Sequence, residues 1–463
     1  MRSADLIIVG AGPAGMAAAA CAAGKGLSVL LLDEQPRAGG QIYRDVARAW
    51  PKRGGLLGKD YAAGLPLVQA LDHPGITHIT GATVWQIEDG PLVTFTVNGA
   101  AQQAQGKRLL IATGALERPM PLPGWTLPGV MTAGAGQILL KQSGMVSDRA
   151  VLVGCGPLLY LIGAQMVRAG TPPLALVETQ GRGDLLAAMR HVGGALRGWR
   201  YMLKGLGMLA ELRRAGVARH VAATDIEIAG ANRAESVRFR AAGQQHEIGC
   251  DTVLLHHGVV PNTQAARSID IPHEWDSRQR AFVPQRDAWG RSARADVFIA
   301  GDGAGIGGAK AAAIAGELAA LAIAHDLGAL AQGDRDLEAR QLRWRLSAEL
   351  AARPFIDRAY PPFAPALAPA DKTIICRCEE VTAGDIRRYA AMGCLGPNQA
   401  KAFGRAGMGP CQGRYCGLSV TEILSAAHGQ APDRTGYYRI RPPLKPVTLA
   451  ELAAMADTPD AAE

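Results

Sequence analysis

The chain opens on a strand signal at residues 5–9, apolar without a break from Leu6 to Val9, and that lack of polar alternation predicts a strand buried on both faces of a parallel sheet. An Ala-rich stretch to about Ala23, closed by Gly24 and Gly26, predicts a helix, and residues 27–32 predict a second buried strand. The same layout returns as a strand at 150–153, a helix to about Arg168 and a strand at 174–177. A later strand signal at 296–299 precedes a long helical pattern from about Ala309. Strands alternating with helices predict an α/β fold with parallel sheets. The order of the segments predicts two interlocked Rossmann-like domains, the first at 1–125 and 265–350, interrupted by the second at 126–264. Residues 351–371 are rich in Pro and Ala and predict an extended linker. It leads to a small helical module at 372–430 and a tail at 431–463.

The turn after the first strand reads Gly10-Ala11-Gly12-Pro13-Ala14-Gly15, a G-x-G-x-x-G inside a complete strand–helix–strand unit. Gly10 permits the tight turn, Gly12 lets backbone approach a pyrophosphate, and Gly15 lets helix and strand pack closely. Pro13 and Ala14 begin the helix whose N-terminus faces the phosphates. Asp33, ending the second strand, is placed to bond adenosine ribose hydroxyls. The second unit carries Gly154-Cys155-Gly156-Pro157-Leu158-Leu159 and ends at Glu178. Leu159 stands where the third glycine is expected, and its side chain should push the helix from the strand and reshape the site. Glu178 argues against a 2′-phosphate, so the expected occupant is NAD or another adenine nucleotide, with no ligand as the alternative.

Cysteine usage adds a second chemistry. Of eight cysteines, Cys376, Cys378, Cys411 and Cys416 cluster late in the chain as C-x-C and C-x4-C. Four thiolates with flanking glycines suit a [2Fe–2S] cluster. Zinc also takes four thiolates, but its structural sites favour C-x2-C pairs. Cys394 is read as a small buried thiol and not a ligand, and Cys21, Cys155 and Cys250 as isolated buried thiols. No secretory leader and no membrane-spanning apolar run is read, so a cytoplasmic setting with reduced thiols is expected.

The net charge of +8 is diffuse and suits anionic cofactors or an acidic partner subunit. Nucleic acid is not expected, because no basic stripe is interleaved with aromatics. Residues 189–214 mix Arg and Lys with Leu, Met and Trp. They read as a helical pair whose apolar face packs inward or against another subunit, ahead of an interfacial membrane helix. His256 and His257 on one strand should point to opposite faces, one in the core and one exposed, with no metal site.

Four further motifs resemble those of the two-dinucleotide flavoproteins. The stretch Asp33-Glu34-Gln35-Pro36-Arg37-Ala38-Gly39-Gly40-Gln41 is similar to the loop that lies against the flavin there. Residues 109–115, with Thr113 and Gly114, resemble the strand and turn leaving the FAD domain. Residues 296–302, with Gly301 and Asp302, resemble the strand whose Asp binds the ribityl chain, and 258–263 resemble the return crossing from the inserted domain. The resemblance implies FAD at the first site and an NAD-type nucleotide at Gly154, Gly156 and Glu178. The dithiol that the disulfide reductases carry beside the flavin is missing, since neither the region after Gly40 nor 131–137 holds a cysteine.

The cysteine module resembles the bacterioferritin-associated ferredoxin-like [2Fe–2S] domain, with C-x4-C in place of its C-x2-C. The phrase at 407–417, together with 156–160 and 439–447, resembles one branch over essentially the whole chain. That branch is the FAD and iron–sulfur subunits of heteromeric amino-acid and opine dehydrogenases, including opine oxidases, dye-linked proline and hydroxyproline dehydrogenases and hydrogen cyanide synthase. In this light Leu159 is a feature of the branch. The resemblance implies an electron-transfer subunit beside a flavin-containing dehydrogenase chain and a small third, ferredoxin-like subunit. Electrons would leave to a membrane quinone, through peripheral contact, or to a soluble acceptor. No residue reads as a substrate-oxidising base. A self-sufficient NADH-dependent reductase and a nucleotide-binding structural subunit are the rival readings.

Overall fold

The computed structural model describes residues 1–456. A seven-stranded sheet runs in the order Ile76–Thr80, Val29–Asp33, Arg2–Val9, Ala100–Ile111, Leu92–Val97, Thr83–Glu88. The first four are mutually parallel, and Val297–Ile299 joins the C-terminal half of Ala100–Ile111, also parallel. The other half of that long strand pairs antiparallel with Leu92–Val97. Leu6, Ile7 and Ile8 are fully buried, as an unbroken apolar run requires of a strand covered on both faces.

Two Ala-rich helices, Pro13–Gly24 and Ala309–Asp326, cover one face. A Cβ at Gly316 would overlap the Ala14 backbone, so the helices meet main chain to main chain. This contact brings both N-termini to one cavity at the C-terminal ends of the parallel strands.

A second, five-stranded parallel sheet runs Ala218–His220, Ala175–Glu178, Ala150–Gly154, Thr252–His256, Val130–Thr132. An antiparallel sheet of Thr224–Ala229, Ser236–Ala241 and Gln244–Gly249 accompanies it. The chain enters and leaves this part through two crossings, Ala115–Glu117 and Val259–Pro261, which pair antiparallel. Below them the Thr113 hydroxyl donates to the Asn262 carbonyl at 3.1 Å and Asn262 N–H to the Gly114 carbonyl at 2.9 Å.

Two expectations are corrected. The Pro-rich linker is not extended. It forms helices Arg353–Ala359 and Ala364–Leu367, each with Pro in its first turn, where the missing N–H costs nothing. Phe363 and Ala366 are buried with Val151, Val177 and Leu255 of the second sheet. His256 and His257 are both buried, because the linker covers the face that was expected to be open. The stretch 189–214 forms helices Val192–Arg197 and Trp199–Arg214. Met208 and Leu212 pack inward, but Trp199, Leu203 and Leu206 are more than half exposed.

The C-terminal module holds the short strands Ile374–Cys376 and Val381–Thr382 and helices Ala383–Ala391, Pro397–Gly404 and Gly417–Ala427. Its core, with Ile375, Ile386, Val420, Leu424 and Tyr438, is continuous with Ile7, Leu109 and Ile299 of the first sheet. The tail then returns to the first domain: Leu444 N–H donates to the Trp85 carbonyl at 2.7 Å, and Lys445 pairs with Glu34 at 2.7 Å. Residues 457–463 of the tail lie outside the described residues. No described helix is long and apolar enough to cross a membrane.

Candidate functional site

The cavity at the strand ends has a volume of about 990 Å³. Gly10, Gly12, Pro13 and Ala14 form its floor, while Asp33, Glu34, Gly40 and Gln41 come from the end of the second strand. Thr113, Gly114, Gly301 and Asp302 close a third side. Gly15 lies behind the floor, where a Cβ would overlap the Gly10 carbonyl. Gly12 and Gly40 face each other. A Cβ on Gly40 would stand 2.8 Å from Gly12 Cα, whereas one on Gly12 meets no protein atom nearer than 3.8 Å. This open cradle at a helix N-terminus fits a pyrophosphate.

The Asp33 carboxylate accepts from Ala11 N–H at 2.5 Å and Gln35 N–H at 2.7 Å, tying the glycine loop to the second strand. Burial raises its pKa, against those two bonds. For Glu34, burial also pushes upward, but the Lys445 ammonium together with Arg414 and a bond to Gln35 outweighs it and the carboxyl is held low. One Asp302 oxygen accepts from Gly307 and Gly308 N–H, both at 2.9 Å, and so shapes the turn that starts the helix Ala309–Asp326.

Further lining was not anticipated. Gln137, Lys141 and Gln165 come from the inserted part, and Arg414, Tyr415, Leu444 and Lys445 from the cysteine module and tail. Among the described residues, no cysteine lines the cavity.

The four clustered cysteines come together in two pairs. Cys378 Sγ and Cys411 Sγ are 3.8 Å apart. Two thiolates about 2.3 Å from one tetrahedral metal are separated by about this distance. Cys376 and Cys416 form the buried pair. A bond from Cys416, opposed by burial and helped by backbone N–H groups of Gly407, Glu379 and Cys378, brings the Cys376 thiol down to about 6. Cys416 is pushed up by the same contact and by burial. No three His, Cys, Asp or Glu side chains converge on a point suited to a single ion among the described residues. A two-iron cluster needs two thiolate pairs and not one such point. Gly409 is obligatory, because a Cβ there would overlap Cys378. Cys394 is fully buried, with its thiol on the Gly396 carbonyl at 3.4 Å.

At the second glycine loop, a Cβ on Gly154 would overlap the His256 carbonyl, and Gly156 has φ +108°. Leu159 is fully buried among Leu152, Ile162 and Leu254. Glu178 is fully buried with one oxygen on Arg219 at 2.7 Å and the other without a hydrogen-bond partner. The chain's own segment lies across this loop. The Cys155 thiol donates to the Pro361 carbonyl at 3.2 Å, Tyr360 stacks edge-on against Tyr160 at 6.0 Å, and Phe363 N–H donates to His257 Nδ1 at 3.2 Å.

A Rossmann-like fold with this glycine cradle at the ends of its strands defines the class, an FAD-dependent oxidoreductase. Residues 4–317 match the family described as pyridine nucleotide-disulphide oxidoreductase, and residues 370–456 match the sarcosine oxidase A3 domain. The A subunit of opine oxidase from Agrobacterium tumefaciens (strain Ach5) is 45% identical over 466 residues, which cover 98% of this chain and 92% of that one. Hydrogen cyanide synthase subunit HcnB of Pseudomonas protegens is 31% identical over 96% of each chain. The crystal structure of L-proline dehydrogenase from P. horikoshii shares the fold, with a TM-score of 0.72 and 18% identity over 97% of this chain and 79% of that one. The chain belongs to the pyridine nucleotide-disulphide oxidoreductase family, in the branch of α-type subunits of heteromeric amino-acid and opine oxidoreductases.

Proposed function

We propose that this chain is the FAD- and [2Fe–2S]-containing electron-transfer subunit of a heteromeric amino-acid or opine dehydrogenase. Its task is to pass electrons from a partner flavin subunit to an acceptor. One observation carries the reading: the loop between Cys411 and Cys416 presents Arg414 and Tyr415 to the cavity whose floor is Gly10 to Ala14. The cysteine centre and the dinucleotide cradle therefore share one wall.

When bound, FAD supplies two-electron and the cluster one-electron redox chemistry. Gly10, Gly12, Gly15 and the helix begun by Pro13 and Ala14 hold the pyrophosphate. Asp33 and Glu34 serve the adenosine ribose, and Gly40, Gln41, Thr113, Gly114, Gly301 and Asp302 the flavin half. Cys376, Cys378, Cys411 and Cys416 hold the two irons. The domain limits that go with this reading are 1–125 and 265–350, 126–264, and 372–430.

The second glycine loop does not suit a dinucleotide. Pro361 sits on the loop that would receive the phosphates, and Tyr360 covers the strand end at Glu178 through Tyr160. We therefore assign no NAD or other nucleotide there, which removes the basis of the NADH-dependent reductase. The expected partners are a flavin-containing dehydrogenase subunit and a small ferredoxin-like chain. The exposed apolar and basic helices at 192–214 offer a surface for one of them or for a quinone-bearing membrane on the cytoplasmic side.

Iron, sulfide and FAD analysis tests the assignment. Two irons, two sulfides and one FAD per chain are expected, with a paramagnetic signal after dithionite reduction. Cys416→Ser should lower iron and the visible absorbance beyond the flavin's while FAD stays bound, and Cys394→Ser should do neither. Zinc in place of iron, or a full signal without Cys416, contradicts the ligand set.

A further inference from the structure

Lys141 lies on the helix Ala133–Ser143 and is only 2% exposed, yet it lines the cavity. Its ammonium donates to the Gln137 side-chain oxygen at 2.8 Å and to the Gln41 carbonyl at 3.1 Å. Both acceptors are neutral. The Tyr61 ring is 5.7 Å away. Among the described residues, the charged group that acts on it is the Arg44 guanidinium, of the same sign. Burial and Arg44 together bring the ammonium down to about 7.

The position of this cation is fixed. Gln137 donates to the Gln165 side-chain oxygen at 3.0 Å, and Gln165 donates to the Leu57 carbonyl at 3.2 Å. The chain of bonds runs from the helix Pro157–Arg168 of the inserted part to the loop at Gln41 beside the glycine cradle. A buried charge is normally paired inside the protein, because desolvation without a counter-charge is costly. A cation that is held rigidly, unpaired, in the wall of a ligand cavity marks an anionic group on the ligand. On the FAD reading above, the phosphates are met by the Gly10–Gly15 loop and its helix. The flavin ring is the one other part of that cofactor that gains negative charge, and it does so on reduction.

We propose that Lys141 is the counter-cation of the reduced flavin ring, held in place by Gln137 and Gln165. The inference rests on the FAD assignment. Negative charge arriving on the ring holds the Lys141 ammonium protonated, and the positive charge in turn favours the anionic reduced form, raises the midpoint potential and stabilises addition of a nucleophile to the ring.

Sulfite is the probe: it adds as a nucleophile and leaves a negative charge on the ring, without net electron transfer from a substrate. The experiment uses the full-length chain with FAD content measured first, then a sulfite titration and a dye-equilibrated potential. Lys141→Met and Lys141→Gln should keep FAD but bind sulfite at least about tenfold more weakly, with a lower midpoint potential. Lys141→Arg should restore both. Unchanged sulfite affinity and potential at full FAD content would overturn the proposal. So would FAD loss from the Met and Gln variants with the fold intact by circular dichroism, since Lys141 would then serve retention and not charge compensation. A wild-type chain without FAD would instead overturn the cofactor assignment itself.

Discussion

Gly12 and Gly15 stand three residues apart and answer to different constraints. Gly12 has an extended backbone, φ −80° and ψ −174°, and open space where a Cβ would be, so the protein itself tolerates a side chain there. Gly15 is locked by contact with the Gly10 carbonyl. Gly12→Val is therefore expected to fold normally but purify without yellow colour, as absorbance and circular dichroism would show. Full FAD content in that variant would contradict the cradle. The glycines, Asp33 and the cysteines could be singled out from their spacing, and Asp302 from the family resemblance; Gly10 and Gly12 of the first loop, Asp33 and Asp302 meet at one cavity and the four cysteines form two pairs. Lys141, Arg414 and Lys445 could not be singled out. Each is a single basic residue with a partner brought in from a distant segment, and no periodicity marks such a meeting.

His257 adds a pH dependence at the same scale. Its Nε2–H donates to the Pro119 carbonyl at 2.8 Å and its Nδ1 accepts from Phe363 N–H, so both nitrogens are satisfied only in the neutral ring. Burial, with Arg118 nearby, depresses its pKa to about 3, and burial with Arg267 does the same for His273. In the unfolded chain both would take a proton near 6.5, so the unfolded state binds more protons as pH falls below that value. Stability should thus fall as pH drops from 6.5 toward 3, by up to about 1.4 kcal/mol per unit for each ring. Chemical denaturation of wild type and His257→Gln across this range checks it, with a shallower decline expected in the variant. Equal slopes would remove His257 from the account.

Among elements, the segment from Arg353 to Leu367 departs most from its sequence pattern. Proline content suggested an extended strap, but prolines in a first turn initiate helices, and only the packed structure shows which role they play. The parallel strands and their Ala-rich helices were readable because burial on both faces leaves no polar alternation to confuse the pattern. The segment acts as a clasp between the second sheet and the cysteine module. Phe363 is its anchor, buried with Met120, Trp125 and Leu255. Phe363→Ala should cost about 3–5 kcal/mol and hasten proteolytic cutting within 351–371. A cleavage rate equal to wild type would show that the clasp does not depend on this side chain.

Across the whole molecule, the cysteine module does not hang from a tether. Its core merges with that of the first sheet, Trp125 donates to the Ile374 carbonyl at 2.7 Å, and Arg280 pairs with Glu422 at 2.5 Å. The tail adds the Lys445–Glu34 pair at the rim of the cavity. These contacts hold the Cys411–Cys416 loop and the glycine cradle in one frame, as electron exchange between them would require. On the proposed reading, with Pro361 against the second glycine loop, no nicotinamide donor is expected to feed that frame. Anaerobic rapid mixing of the native complex, followed by absorbance, tests this most directly. Proline, hydroxyprolines, glycine and opines would be compared with NADH. An electron-transfer subunit of this kind should have its flavin and cluster bands bleached in turn by a donor of the amino-acid or opine class, and NADH should leave both unchanged. Rapid bleaching of the flavin by NADH would contradict it.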